Sequence, residues 1–278
     1  MKVITKLVLG LGVALTLASC AGNKAEKAKE DTKAKSSDTI KIGVVGEYNE
    51  VLEEVIKRYE KGTGKKAELV KFADYNQPNE ALLAGDIDLN AYQHYKFLDE
   101  FNADRGSDLV SIGNTMLAPM AIYSNKVKSI DEIKDGAKIA LPNDPSNGSR
   151  ALFLLQDAGL IKVDGKPGEI VGLDKVVENP KNLELIEVDA SQTTRSLDDV
   201  DASVINDTFA LDAGLDKKSA IYVENPNSDS VKIYINIIAA RKEDEDNPDY
   251  KEFVKYYQTD ETAADFERIT KGNWIPAW

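Results

Sequence analysis

Hydrophobic and polar positions along this chain switch repeatedly between a strand period and a helix period. Ile40–Val45 is a short apolar run opening on Gly46, and from about Asn49 to Lys61 apolar residues recur at helical spacing until Gly62 and Gly64 end them. A second strand at Glu68–Phe72, a short helix at Glu80–Ala84 stopped by Gly85, and a third strand at Ile87–Asn90 follow. Then come Ala91–Phe101 and further strands at Leu109–Ser111 and Met116–Tyr123. A second unit starts near Ile130. Its strand Lys138–Leu141 feeds a helix, and later strands fall at Leu183–Val188, Ala202–Asn206 and the strongly β-prone Ser230–Ala240. Helical patterns at Pro248–Tyr257 and Thr262–Thr270 close the chain. Such alternation predicts an α/β fold with largely parallel sheets. No proline-rich or serine-rich linker separates the units, so the pattern predicts two lobes joined by crossing strands, with the tail returning to the first.

The helix after Lys138–Leu141 lies in the stretch Ile139–Gly159, IALPNDPSNGSRALFLLQDAG. Ser146 or Asn147 is a suitable N-cap, Gly159 a C-terminal stop, and Arg150 then falls in the first turn. Helical side chains lean toward the N-terminus, so the guanidinium would project back over the turn. There it would join free backbone N–H groups and the positive end of the helix dipole, a combination suited to an anion. A cation in that turn costs the helix roughly 0.3–1 kcal/mol, which a bound anion would offset. The local pattern equally fits a solvated surface arginine.

The amino-terminal stretch, MKVITKLVLGLGVALTLASC, changes the picture of where the protein works. Lys2 and Lys6 precede an apolar run, Leu7–Leu17, of signal-peptide length and too short to span a bilayer stably. It ends in Leu17–Ala18–Ser19–Cys20, similar to a bacterial lipobox, and Cys20 is the only cysteine, so no intramolecular disulfide exists. Residues 1–19 therefore read as a cleaved signal and Cys20 as a lipidated residue, whose acyl chains anchor it stably. Residues 21–38 hold no large apolar side chain. With Cys20 they form a flexible tether, 20–38, spanning about 24 Å.

Charge and candidate chemistry narrow the function. The chain carries −13, and loss of Lys2 and Lys6 with the signal takes it to −15, which argues against nucleic acid as a partner. The acidic runs Asp198–Asp201 and Glu243–Asp249 lack calcium-loop spacing, so neither is assigned a metal. His94 is the only histidine, too few for a zinc site of several His ligands. No G-x-S-x-G elbow supplies a nucleophile beside it, so no enzymatic reaction is assigned. What remains is a binding surface. Tyr92, His94 and Tyr95 should sit at the carboxyl end of a strand, where open α/β sheets bind ligands, with Tyr75 at the same edge. These rings either wall an apolar or thioether group or pack as core. Asn206 follows a buried-looking strand, and Asn236 interrupts an apolar one, so its amide either bonds neighbouring backbone or meets a ligand.

The segments DLNAYQHYKFL, ALPNDPSNGSRALFLLQDAGL, VINDTFALDAGL and YINIIAAR, in this order, closely resemble the methionine-binding lipoproteins of the NlpA/MetQ type, substrate-binding components of ABC importers. The resemblance covers essentially the whole globular part and the lipobox. It implies a two-lobed type II periplasmic-binding-protein fold with ligand in the interlobe cleft, lobe 1 being residues 39–123 plus 231–278 and lobe 2 residues 124–230. It implies that Arg150 pairs with the ligand carboxylate, that Asn206 and Asn236 take its amino and carboxylate groups, and that Tyr75, Tyr92, His94 and Tyr95 enclose its thioether, with Asn147 a further candidate. Two departures are visible: Tyr92 where the family often has Phe, and INDTFA where asparagine, threonine and tyrosine variants are usual. The implied function is capture of L-methionine, without cofactor, by a monomer held to the bilayer through Cys20 on the extracytoplasmic face, and its delivery to an ABC importer permease. A methionine-containing dipeptide, D-methionine or a methionine derivative is the alternative ligand, and a surface adhesin or structural lipoprotein the alternative class.

Overall fold

A computed structural model describes residues 39–278. The signal segment 1–19, Cys20 and the tether to residue 38 lie outside the described residues. The chain begins with β1 (Thr39–Val45), α1 (Glu50–Thr63), β2 (Lys66–Phe72), α2 (Gln77–Ala84), β3 (Leu89–Asn90), α3 (Tyr95–Arg105) and β4 (Val110–Asn114). Next come β5 (Met116–Leu117), β6 (Ala121–Tyr123), β7 (Lys138–Pro142), α4 (Pro145–Asp157), β8 (Lys162–Val163), β9 (Val176–Glu178) and β10 (Glu184–Val188). It ends with β11 (Ala202–Ile205), α5 (Asp207–Asp212), β12 (Tyr222–Val223), β13 (Ile237–Ala240), α6 (Pro248–Tyr257), α7 (Asp260–Thr270) and β14 (Ile275–Pro276).

Two five-stranded sheets result, ordered β2-β1-β3-β13-β4 and β10-β7-β11-β6-β12. β1 is parallel to β2 and β3, and β7 to β10 and β11, as crossover helices require. The antiparallel partners are β13 in the first sheet and β6 and β12 in the second. All three adjoin the two segments where the chain crosses between sheets. Each sheet has its own core. In the first, Tyr59, Phe253 and Phe266 are fully buried, with the Tyr59 ring edge-on to Phe253 at 5.3 Å. In the second, Leu152 of α4 packs with Ile122, Ile139 and Leu141.

Three local expectations are corrected. The run Met116–Tyr123 is not one strand: Pro119, with no N–H to donate, ends it. Its two halves separate, and Ala121–Tyr123, read as part of the first lobe, pairs in the second sheet. The β-prone stretch Ser230–Ala240 is a strand only over Ile237–Ala240. Residues Asp229–Tyr234 form a 3₁₀ turn, capped where the Ser228 side chain accepts from Ser230 N–H. Propensity yields here to the geometry of the crossing. Finally, α4 starts two residues early. Asp144 is its N-cap and Pro145 its first residue, so Arg150 lies in the second turn and not the first.

The crossing segments are bonded together. Thr115 N–H donates to Asn236 O at 2.8 Å and Asn236 N–H to Met116 O at 2.7 Å. Elsewhere the halves meet through α5: the Asp212 carboxylate accepts from Glu47 N–H at 3.0 Å and Tyr48 N–H at 2.7 Å. Gly46 makes this approach possible. Its φ is +79°, and an added Cβ would stand 2.1 Å from Asp212 Oδ2. Gly64, φ +73°, meets nothing. Gly64→Ala should therefore cost only the left-handed backbone strain, about 1–2 kcal/mol, and Gly46→Ala about 1–3 kcal/mol more through displaced hydrogen bonds. Urea unfolding of both variants measures the difference; equal losses would mean that the Asp212 contact contributes nothing.

Candidate ligand-binding site

At the N-terminus of α4 one half-buried carboxylate organises a row of amides. Asp144 accepts from Ser146 Oγ at 2.9 Å, from Asn147 N–H at 2.9 Å, and through both oxygens from Asn147 Nδ2 at 3.0 and 3.1 Å. With its NH₂ held there, Asn147 must present Oδ1 to the cleft. That oxygen accepts from Asn206 Nδ2 at 2.7 Å and lies 3.2 Å from His94 Nε2. His94 caps α3 by accepting Phe97 N–H at Nδ1, 3.0 Å, so its proton sits on Nε2 and is donated to Asn147. Burial, then the nearby Arg150 charge, lowers the His94 pKa to about 3, and the ring is neutral. The row ends at Asn206 Oδ1, which is buried and has no hydrogen-bond partner. An oxygen left so costs about 1–3 kcal/mol.

Arg150 enters from the next turn, 3% exposed. Its Nε and Nη2 donate to the two oxygens of Glu224, at 2.8 and 2.5 Å, and Nη2 also to Ala118 O at 3.0 Å. The guanidinium lies over the Tyr234 ring, 4.4 Å from its centroid. Nη1 takes part in none of these bonds. The attraction of Glu224 holds the guanidinium pKa above its usual value despite burial, so the charge persists in the closed interior.

Both groups border a cleft of about 380 Å³, open mouth included, between the two sheets. This is the small end of the range for small-molecule sites. Tyr75, Tyr92, His94, Asn147, Arg150, Asn206 and Asn236 all line it. Tyr75 stands 5.8 Å from Tyr92 and 5.9 Å from Phe97, centroid to centroid, forming an apolar wall. The Tyr92 hydroxyl donates to Tyr75 O at 3.2 Å, so the extra oxygen at this position is satisfied within the protein. Asn236, on the crossing segment, directs Nδ2 toward Tyr234 O at 3.4 Å. The cleft thus joins an aromatic end to a polar end carrying a cationic donor and an unfilled acceptor.

A family model of NlpA lipoproteins matches residues 40–278. The chain belongs to the NlpA lipoprotein family. The D-methionine-binding lipoprotein MetQ of Escherichia coli O157:H7 is 43% identical over 248 residues, 88% of this chain and 90% of its own. Two solved structures superpose with a TM-score of 0.82 each. The substrate-binding protein of a methionine transporter from Streptococcus pneumoniae is 40% identical and covers 87% of this chain and 96% of its own. A nutrient-binding protein from Burkholderia cenocepacia, bound to methionine, is 42% identical and covers 86% of this chain and 100% of its own. This chain therefore has the two-lobed α/β fold of the family's substrate-binding proteins.

Tyr95 is the site candidate that the structure removes. It is the first residue of α3, whereas its cap His94 still has extended backbone, and it does not line the cleft. Its hydroxyl donates to Asn114 Oδ1 at 2.7 Å, and it packs against the core cluster that contains Leu82 and Ile237. Sequence reasoning also missed residues. Phe97 lines the cleft and was readable as one turn beyond His94, whereas Glu224 and Tyr234 reach Arg150 from distant loops that no local pattern signals. Asp144 was within reach: an aspartate directly before proline is an N-cap signature.

The single histidine makes the burial argument testable by pH. The unfolded chain binds a proton at His94 below about pH 6.5, while the folded chain does not until about pH 3. Stability from His94 is therefore complete above pH 6.5 and falls by about 1.4 kcal/mol per pH unit on acidification. Denaturant unfolding between pH 7 and 4.5 should show this extra slope in the wild type and not in His94→Gln. Parallel curves would contradict a buried neutral imidazole.

Proposed function

We propose that this protein captures L-methionine in the cleft and delivers it to the membrane permease of an ABC importer. The observation that carries the proposal is the pairing of Asn206 Oδ1, buried and without a partner, with the free Nη1 face of Arg150 at the polar end of an aromatic cleft. An α-amino acid offers what each lacks. Its ammonium donates to Asn206, its carboxylate accepts from Arg150, and a thioether side chain lies against Tyr75, Tyr92 and Phe97. Asn236 stands beside the polar groups, on the crossing segment where the halves rotate. Ligand bound by residues of both sheets favours the closed arrangement, and closure is what a permease reads. Relatives named for methionine binding or solved with methionine bound support the side-chain class.

On this reading the protein works outside the cytoplasmic membrane as a lipid-anchored monomer. Residues 1–19 are removed, Cys20 carries the lipid, and the tether to residue 38 leads to lobes 39–123 with 231–278 and 124–230, the strand Ala121–Tyr123 joining the second sheet. Among the described residues no helix is long and apolar enough to cross a membrane; on this reading the anchor is the lipid on Cys20. Residues named for the ligand do no chemistry on it, and the protein acts as a carrier and not as an enzyme.

A second ligand reading has an observation behind it, since the Escherichia coli relative is named for the D-enantiomer. Calorimetric titration of residues 39–278, unfolded and refolded to remove carried-over ligand, with L-methionine, D-methionine and glycyl-methionine separates the readings. Tight one-to-one binding of L-methionine is the expected result, with Arg150→Ala weakening it at least tenfold by leaving a buried carboxylate unpaired. Preference for the D-form or the dipeptide would move the substrate. No binding of any of the three would contradict the function and favour a structural or adhesive surface role. An unchanged dissociation constant in Arg150→Ala would contradict the site.

A further inference from the structure

Resting on that ligand-binding reading, we propose that Glu224 sets the charge class of the ligand: by neutralising Arg150 it restricts the cleft to zwitterions and excludes simple anions. Glu224 reaches the site from the loop after β12 and is itself fixed. Its N–H donates to Met120 O at 2.9 Å and its Oε2 accepts from Met120 N–H at 3.2 Å. It is 7% exposed and takes two of the three nitrogens of the guanidinium. A carboxylate ligand reaching Nη1 therefore meets an arginine whose charge is already balanced within hydrogen-bond distance.

The other charges around the cleft do not alter this balance. Asp207, which also lines the cleft, is paired with Lys217 Nζ at 2.9 Å and held by Trp274 Nε1 at 2.7 Å. Asp144 is surrounded by its own donors behind Asn147, and His94 is neutral. Arg150 and Lys217 are thus each balanced by a carboxylate, Asp144 keeps its negative charge behind the Asn147 amide, and the wall offers an incoming anion no unbalanced cation, only a donor at one place and a neutral amide acceptor at another. A zwitterion satisfies both and adds no net charge. An anion without an ammonium adds an uncompensated charge to a closed interior, where a unit charge several ångströms away shifts affinity by tenfold or more.

Glu224 also orients Arg150, and the two roles predict opposite changes when its charge is removed. Binding of methionine, 4-methylthiobutanoate (the same molecule without the amino group) and methioninol (without the carboxylate) by the full-length protein and its Glu224→Gln variant distinguishes them. None of the three is bulkier than methionine. The wild type should prefer methionine to both analogues by at least tenfold. In Glu224→Gln the ratio of the 4-methylthiobutanoate to the methionine dissociation constant should fall at least tenfold, while methioninol weakens further. A ratio that stays constant as both ligands weaken together would overturn the proposal and leave Glu224 an orienting residue. Unchanged affinities for all three would overturn it as well. Glu224→Asp keeps the charge and disturbs the geometry, so its ratio should stay within threefold of wild type; a larger shift overturns the proposal. If Glu224→Gln does not fold, Glu224→Ala replaces it, opening onto the adjacent cavity. The wild-type series stands independently: 4-methylthiobutanoate binding within tenfold of methionine contradicts the charge rule. Failure of methionine itself to bind would instead contradict the functional reading on which it rests.

Discussion

The site depends on one half-buried carboxylate. Asp144 caps α4 and in doing so fixes which way the Asn147 amide points. An unconstrained amide would have two orientations, and the cleft would be a mixture of donors and acceptors. With Asn147 held, its oxygen meets the Nε2 proton of His94 and orients Asn206, whose own Oδ1 is left without a partner. Burial raises the Asp144 pKa, against the hydrogen bonds that favour its ionised form. The cost of that charge is offset by the N-cap bond from Asn147 N–H and by three further bonds, one from Ser146 Oγ and two from Asn147 Nδ2.

Arg150 follows the same logic with an opposite partner. A lone guanidinium at 3% exposure would be severely destabilising. Glu224, Ala118 O and the Tyr234 face supply its compensation from three separate parts of the chain. Two of these, Ala118 and Tyr234, lie on or beside the segments that cross between sheets. The guanidinium is thus tied to the hinge as well as to the second sheet, so its position and the relative position of the lobes are coupled. A ligand that bonds Arg150 and touches the aromatic wall of the first sheet acts on that coupling directly.

Much of the fold was legible in the sequence because β1, β2, β7 and the helices α1, α6 and α7 are long and periodic, with α1 ending on Gly64, α6 opening on Pro248 and α7 capped by Thr259. The crossings were not. Pro119 divides one apparent strand between two sheets, and the β-prone residues Ser230–Tyr234 bend into a turn because the chain must change sheets there. Seven of the eight candidate pocket residues line the cleft because each lies within a few residues of a strand end or helix start, and an error of two residues in the start of α4 left Arg150 on the cleft. Tyr95 was misplaced because one residue of helix turns a side chain away from its neighbour. Glu224 was invisible because its partner lies 74 positions away and nothing local marks a carboxylate that will be buried.

The central claim is that fixed amides and a half-occupied arginine are complementary to an α-amino acid. A crystal structure of the protein with bound L-methionine tests it most directly. The account predicts the ligand ammonium within hydrogen-bond distance of Asn206 Oδ1, the carboxylate on Arg150 Nη1, and the Arg150–Glu224 pair intact. A carboxylate that displaces Glu224 from the guanidinium, or an ammonium that leaves Asn206 Oδ1 unfilled, would contradict it.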